Sequence, residues 1–174
     1  MLNERVMVFI DGSNFYHGLK NIIDKKRIDF NNLTNQLVTN DRKLIRVYYY
    51  NSPVNQKQFP EMYKEQQKFF ISIQSLPYYE LKLGRLEPRN GTVVEKGVDV
   101  KLALDMVMFC VRDQYDVAIL ISADGDFADA VQYVKDMGKH VEVAYPTGGK
   151  CQTLKNKCDK FIELKINSQY LKTL

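Results

Sequence analysis

The sequence predicts an α/β protein, a three-layer sandwich with a central, mostly parallel sheet of about five strands and helices on both faces. Two observations predict it. Short apolar runs at 6–10, 43–51, 117–122 and 140–146 alternate with longer stretches of helical periodicity, the pattern of βαβ units. Carboxylates also stand where those runs stop, with Asp11 after VMVFI and Asp124 and Asp126 just after VAILIS. In an open parallel sheet the ligand crevice lies at the carboxyl ends of the strands.

Element by element, VMVFI (6–10) reads as a buried first strand. Asp11-Gly12-Ser13 turns into a helix over 13–25, with Ser13 as N-cap and Phe15, Leu19, Ile22 and Ile23 at helical spacing. A short helix follows over 30–38, then a strand over 43–51 that Ser52-Pro53 stops. Residues 58–75 read as a polar, aromatic helix ended by Pro77, and 78–87 alternate as one strand. Pro88-Arg89-Asn90-Gly91 is a turn signal before TVVEK, so a hairpin is expected to make one sheet edge antiparallel.

After Asp99, residues Val100, Ala103, Leu104, Val107, Met108 and Val111 recur at i, i+3, i+4, i+7, i+8 and i+11. That spacing predicts an amphipathic helix with those residues on its apolar face. A strand over 116–122 leads to a helix over 126–137, with Asp126 at the cap and Gly138 as the stop. The rest reads as a strand over 140–146, a loop at 147–149, a helix over 150–157 and a last strand at 161–164.

At 174 residues and 45% hydrophobic, the chain suits a single domain spanning 1–174 with a proper core. No apolar run reaches the length of a membrane span. The N-terminal MLNERVMVFI reads as a strand rather than a signal peptide, so no membrane association and a cytoplasmic location are expected. Three cysteines with no CxxC pair fit reduced thiols rather than a zinc site. The net charge of +4 is matched by residues 150–174 alone, with six lysines against Asp159 and Glu163. Such a basic C-terminal segment beside an acidic pocket would bring a phosphate backbone to it; a solvated lysine-rich face is the alternative.

Carboxylates gathered at strand ends repel one another and lose hydration. A hard divalent cation relieves both, and Mg²⁺ or Mn²⁺ prefers oxygen ligands. Asp11, Asp99, Asp124 and Asp126 are therefore candidate metal ligands, although each also sits where an Asp turn or helix cap would stand. Asp129 is a further acidic residue one helical turn past Asp126. Phosphodiester hydrolysis needs an activated water, neutralised phosphoryl oxygens and a stabilised leaving group, and one or two metal ions can supply all three. No histidine is then required, and only His17 and His140 exist. Asn14 could hold a metal-bound water or orient Asp11, Ser13 and Ser122 could donate to carboxylates or phosphate or simply cap, and Lys96 could meet a phosphate or balance the acidic cluster. Tyr48, Tyr49 and Tyr50, with Tyr78 and Tyr79, could offer stacking faces for single-stranded bases, but aromatic strands usually pack and alternation turns at least one of each set inward, so no base platform is assigned.

DGSNF (11–15) after a first strand, KGVD (96–99) opening a helix and SADGDF (122–127) after a later strand together resemble the NYN domains of the PIN-like nuclease superfamily. The resemblance runs from Val6 to about Pro146. It implies a PIN-like, Rossmann-like fold and a metal-dependent endoribonuclease, a hydrolase acting on single-stranded or structured RNA. On that resemblance Asp11, Asp99, Asp124 and Asp126 bind Mg²⁺ or Mn²⁺, and Asn14 and Lys96 complete the catalytic set. No motif carries over between residues 53 and 77. A homodimer is compatible with the sequence, because twofold dimers are the commonest symmetric assembly, but no sequence feature demands one.

No GxGxxG follows the first strand and no GxxxxGK[ST] occurs, against a dinucleotide or P-loop site. An aspartyl phosphotransferase would want a second Asp where Ser13 stands. A regulatory or RNA-binding module, with a metal-binding acidic pocket and little turnover, is the alternative function.

Overall fold

In the computed structural model, the described residues are 3–20, 27–39, 42–89, 92–148, 151–166 and 171–172. The first half of the chain forms β1 (Arg5–Asp11), α1 (Gly12–Leu19), β2 (Arg27–Ile28), α2 (Phe30–Leu37), β3 (Lys43–Asn51), α3 (Pro60–Gln74) and β4 (Tyr79–Leu83). The second half forms β5 (Arg85–Arg89), β6 (Thr92–Lys96), α4 (Val98–Val111), β7 (Val117–Ile121), a 3-10 turn (Gly125–Phe127), α5 (Ala128–Asp136), β8 (His140–Pro146), α6 (Gln152–Lys157), β9 (Lys160–Leu164) and β10 (Leu171–Lys172).

Six strands make the central sheet in the order β4-β3-β1-β7-β8-β9, and every neighbouring pair in it is parallel. The chain builds outward from β1 to β3 and β4, then returns to the other side of β1 to add β7, β8 and β9. The winding direction therefore reverses between β1 and β7, and the carboxyl ends of these strands open a crevice there.

Both faces of the sheet are covered, which fixes the three layers. Val6, Val8 and Ile10 of β1 pack with Phe15 and Leu19 of α1, Leu33 and Leu37 of α2 and Ile73 of α3. Met7 and Phe9 point the other way, to Leu102 and Met106 of α4, Val131 and Val134 of α5 and Leu154 of α6. Val6 through Ile10 are 0–3% exposed, so a mutation at any of them leaves a cavity or a clash. At the amino ends of the strands, Arg5 ties β1 to the approach of β7 through Asp116 (2.8 Å) and Asp113 (3.1 Å). Arg42 makes a two-pronged bond to the buried Glu142 of β8 at 2.9 and 3.1 Å. The sheet is thus anchored at the end opposite the crevice.

Several sequence expectations need correction. The expected hairpin strands form, but among the described residues β5 and β6 pair only with each other, in an antiparallel sheet of their own, and the central sheet has no antiparallel edge. The run over 78–87 is two strands broken at Gly84. There the bulk of Val98 and Ser52 leaves no room for a Cβ, which would lie 2.4 Å from Val98 Cγ2. The antiparallel pair β2–β10 has no signal in the sequence pattern. The first helix starts at Gly12 and is capped by Asp11, not Ser13; the part of the expected 13–25 span beyond residue 20, with Ile22 and Ile23, lies outside the described residues. Lys150 of the expected basic segment also lies outside them.

The largest correction concerns α4. Its buried residues are Leu102, Met106 and Cys110, whereas Val100, Leu104, Met108 and Val111 of the expected core face are exposed. The helix is apolar nearly all round, so periodicity alone chose the wrong stripe. Among the described residues no helix is long and apolar enough to cross a membrane, and Cys110, Cys151 and Cys158 are free thiols.

Candidate active site at the switch point of the sheet

Asp11 is the last residue of β1 and the N-cap of α1, where its Oδ1 accepts the Asn14 amide at 3.1 Å. The bond satisfies one of the donors a helix start leaves open. The other carboxylate oxygen, Oδ2, accepts the Ser122 hydroxyl at 3.1 Å. Ser122 follows β7, is fully buried, and also accepts the Asp124 amide at 3.0 Å. Asp124 in turn accepts the Asp126 amide at 3.0 Å and so caps the 3-10 turn. The Asn14 side-chain oxygen takes the Ala123 amide at 3.0 Å. A continuous run of hydrogen bonds therefore joins the loop after β1 to the loop after β7 across the crevice.

Two close approaches hold α1 in place. A Cβ on Gly12 would come within 2.5 Å of the Tyr49 ring, so only glycine lets α1 leave the sheet there. A Cβ on Gly18 would fall 2.6 Å from the Tyr145 hydroxyl, and that hydroxyl donates to the Asn14 carbonyl at 3.0 Å. Tyr145, near the end of β8, thus fixes the first turn of α1 from a third strand.

Asp11 is only 4% exposed. Burial pushes its carboxyl above the ordinary range, the Asn14 amide and Ser122 hydroxyl pull it back, and the charges of Asp99 and Asp124 push it up again. Asp99 lies in the first turn of α4, where the positive end of the helix favours an anion. Its carboxyl is nevertheless raised, by partial burial and then by repulsion from Asp124 and Asp126. The four aspartates thus share one electrostatic field, with Asp99 facing the Asp11–Ser122–Asp124 array from another element. The convergence stops short of a closed ligand cage. Among the described residues, no group of three or more acidic, histidine or cysteine side chains is drawn tightly enough to hold an ion.

The remaining sequence candidates divide. Asn14 joins the array through both its amide and its side chain. Lys96 does not; it sits at the end of the β5–β6 hairpin with its ammonium 3.7 Å from Glu87. Asp126 was expected to cap the following helix, but it lies inside the 3-10 turn that Asp124 caps, α5 starts after Phe127 with no side-chain cap, and Asp126 is left exposed at the mouth. Asp99 caps nothing either, because Gly97 in left-handed conformation (φ 82°) occupies the N-cap of α4. Asp129 is exposed in the first turn of α5, and His17 is exposed beside Tyr16. Tyr48, Tyr49 and Tyr50 are buried packing residues. Sequence reasoning missed Tyr145; nothing in the strand pattern HVEVAYP distinguishes a tyrosine that reaches another element from one that only packs.

The model of the NYN domain family matches residues 5–165. The chain belongs to the NYN domain family. NYN domains are part of the PIN-like nuclease superfamily, and the matched span encloses all six sequence candidates of this NYN domain. Its chain is 28% identical over 168 residues to "Low amplitude and bright protein LabA" of Synechococcus elongatus, covering 92% of this chain and 83% of that protein. The crystal structure of a protein of unknown function from Vibrio parahaemolyticus superposes with a TM-score of 0.76 at 22% identity, covering 98% of this chain and 97% of that one. At that identity the likeness speaks for the fold alone.

Proposed function

We propose that this NYN domain is a Mg²⁺- or Mn²⁺-dependent endoribonuclease, with Asp11, Asp99, Asp124 and Asp126 as metal ligands and Asn14 and Lys96 in support. The observation that carries this reading is the state of Asp11. It is a buried carboxylate whose strongest charge contacts are two more carboxylates. Such a cluster is costly without a cation, and strain of this kind concentrates at functional sites.

The donor set fits a hard ion. All four side chains offer oxygen, and Mg²⁺ ordinarily keeps several waters and takes only one or two carboxylates besides substrate phosphate, so a closed protein cage is not required. When bound, such an ion supplies neutralisation of the phosphoryl oxygens and an acidified water. The chain's own residues do the positioning. Ser122 and the Asn14 amide hold both oxygens of Asp11, so the carboxylate cannot rotate away from the crevice. Asn14 locks the two loops at one spacing. Asp99 and Asp126, both exposed, form the adjustable side that can close on an ion as RNA arrives. Lys96 is bound to Glu87 only loosely, at 3.7 Å, and surface pairs of that kind hold weakly; it is free to meet a backbone phosphate. Cleavage is expected to leave a 5′-phosphate and a 3′-hydroxyl. The free thiols suit work in the cytoplasm.

A second reading, an RNA-binding regulatory domain with little turnover, rests on the open geometry of the four carboxylates. Labelled single-stranded RNA incubated with Mn²⁺ separates the two. Endonucleolytic cuts that EDTA stops, and that Asp11→Asn and Asp124→Asn abolish, support the nuclease; RNA bound but uncut by the wild type supports the second reading.

A further inference from the structure

We infer that the cavity between α6 and the carboxyl ends of β8 and β9 receives one base of the RNA strand that enters the crevice, an assignment that rests on the endoribonuclease reading above. The cavity measures about 190 Å³, and Pro146, Cys151, Gln152, Lys155, Phe161 and Glu163 line it. It lies beside the crevice. Pro146 closes β8 directly after Tyr145, whose hydroxyl donates to the Asn14 carbonyl at 3.0 Å. Helix α6 abuts the turn that carries Asp124 and Asp126, since a Cβ on Gly125 would meet the Thr153 side chain at 3.4 Å. A strand with its scissile phosphate at the aspartates therefore has this cavity within reach of a neighbouring nucleotide.

The walls choose the occupant. The space is smaller than the roughly 300–1,000 Å³ of a site for a drug-sized ligand, and it suits a single flat ring system. Phe161 packs partly against the core, so a strand of the sheet presents its ring, and any base can stack on such a face. The Lys155 ammonium lies over that ring, 5.1 Å from the centroid. A cation–π contact on an exposed side chain is weak, and the lysine stem is flexible. A base can take the ring face while the ammonium swings out to the phosphate of the same nucleotide.

Glu163 decides which part of the nucleotide goes in. Its carboxylate repels a phosphate from the cavity, which leaves the base. A carboxylate only accepts hydrogen bonds, so it favours bases that carry an exocyclic amino group over uracil. Gln152 adds both a donor and an acceptor for the base edge.

Anisotropy of labelled single-stranded RNA in EDTA, where nothing is cut, tests the inference. Phe161→Leu keeps apolar bulk but loses the ring, and should weaken binding about tenfold. Phe161→Tyr, which keeps the ring, should restore most of that loss. Lys155→Ala should lower the slope of log affinity against log salt by about one. Oligouridine should bind the wild type more weakly than oligocytidine. In Mn²⁺, an RNA with one abasic nucleotide should lose wild-type cutting at a single bond, a fixed step from the gap, whereas Phe161→Leu should cut that bond as readily as its neighbours. Circular dichroism checks folding; should Phe161→Leu not fold, the wild type on abasic RNA decides alone. RNA still cut, with binding undiminished in Phe161→Leu or equally weak in Phe161→Tyr, overturns the subsite and leaves the nuclease standing. The expected binding pattern with no cut in Mn²⁺ overturns the nuclease and leaves the subsite. A wild type that neither binds nor cuts RNA overturns both.

Discussion

The Ser122 hydroxyl donates to Asp11 Oδ2 at 3.1 Å, joining two residues 111 apart in sequence at the floor of the crevice. The bond does two things. It orients the most buried carboxylate of the cluster, and it lowers that carboxyl's proton affinity against the pull of burial.

Ser122→Ala should therefore act on both stability and pH response. It removes one buried hydrogen bond and the acceptor of the Asp124 amide, a loss of about 1–2 kcal/mol, read by urea denaturation. Without the Ser122 donor the Asp11 carboxyl holds its proton to higher pH. The acidic limb of the Mn²⁺-dependent rate profile should move towards neutrality. A limb that stays put would show that Asp11 is not the titrating group.

Asp11→Asn should stabilise the metal-free protein at neutral pH. Asn caps helices as well as Asp, so the Asn14 amide keeps its partner. The sign follows from linkage. The folded carboxyl binds its proton more tightly than the unfolded one, so the folded state holds more protons between the two pKa values. Stability falls as pH rises through that window, and the whole cost is present above it. Removing the charge should raise Tm by a few degrees at pH 7, and the gain should vanish once the pH drops below the unfolded pKa of about 3.9. Adding Mn²⁺ should raise the wild-type Tm and leave that of the variant unmoved. Differential scanning calorimetry reads all three.

Gly12→Ala and Gly18→Ala should each destabilise the fold by about 1–3 kcal/mol, the usual range for overpacking. The alanine methyls would meet the rings of Tyr49 and Tyr145. Gly18→Ala should also depress activity more than stability alone explains, because it displaces the Tyr145 hydroxyl from the Asn14 carbonyl. Tyr145→Phe, which keeps the ring, should reproduce that activity loss at a smaller stability cost of about 1 kcal/mol.

Arg42→Ala should cost about 2–3 kcal/mol while leaving the crevice intact. It leaves Glu142, 4% exposed, without its two-pronged partner, and an unpaired buried charge is expensive. Lys160, 3.7 Å away, offsets part of the loss. Chemical denaturation should show the drop, with kcat of the folded fraction unchanged.

What could be read from the sequence follows from which interactions are local. The parallel sheet was legible because strand runs and helical stretches alternate, and Asp11, Asp124 and Asp99 were legible because they stand at the ends of those elements. Their convergence depends on β7 lying beside β1, which the pattern implies only through the fold class. The face of α4 was misread because periodicity reports where apolar residues are, not which of two apolar stripes meets the sheet. The cap expected on Asp126 fails because a 3-10 turn, capped by Asp124, comes between β7 and α5, and α5 then starts after Phe127 with no side-chain cap. Tyr145 and Gly18 left no trace, since their contact joins residues far apart in the chain.

The central claim is that these four carboxylates exist to share a cation. A crystal soaked in Mn²⁺, with anomalous data collected near the manganese edge, tests it most directly. The account predicts a peak within coordinating distance of Asp11 and Asp124, absent from Asp11→Asn. Manganese bound only elsewhere on the molecule, or an empty crevice in crystals of active protein, would contradict it.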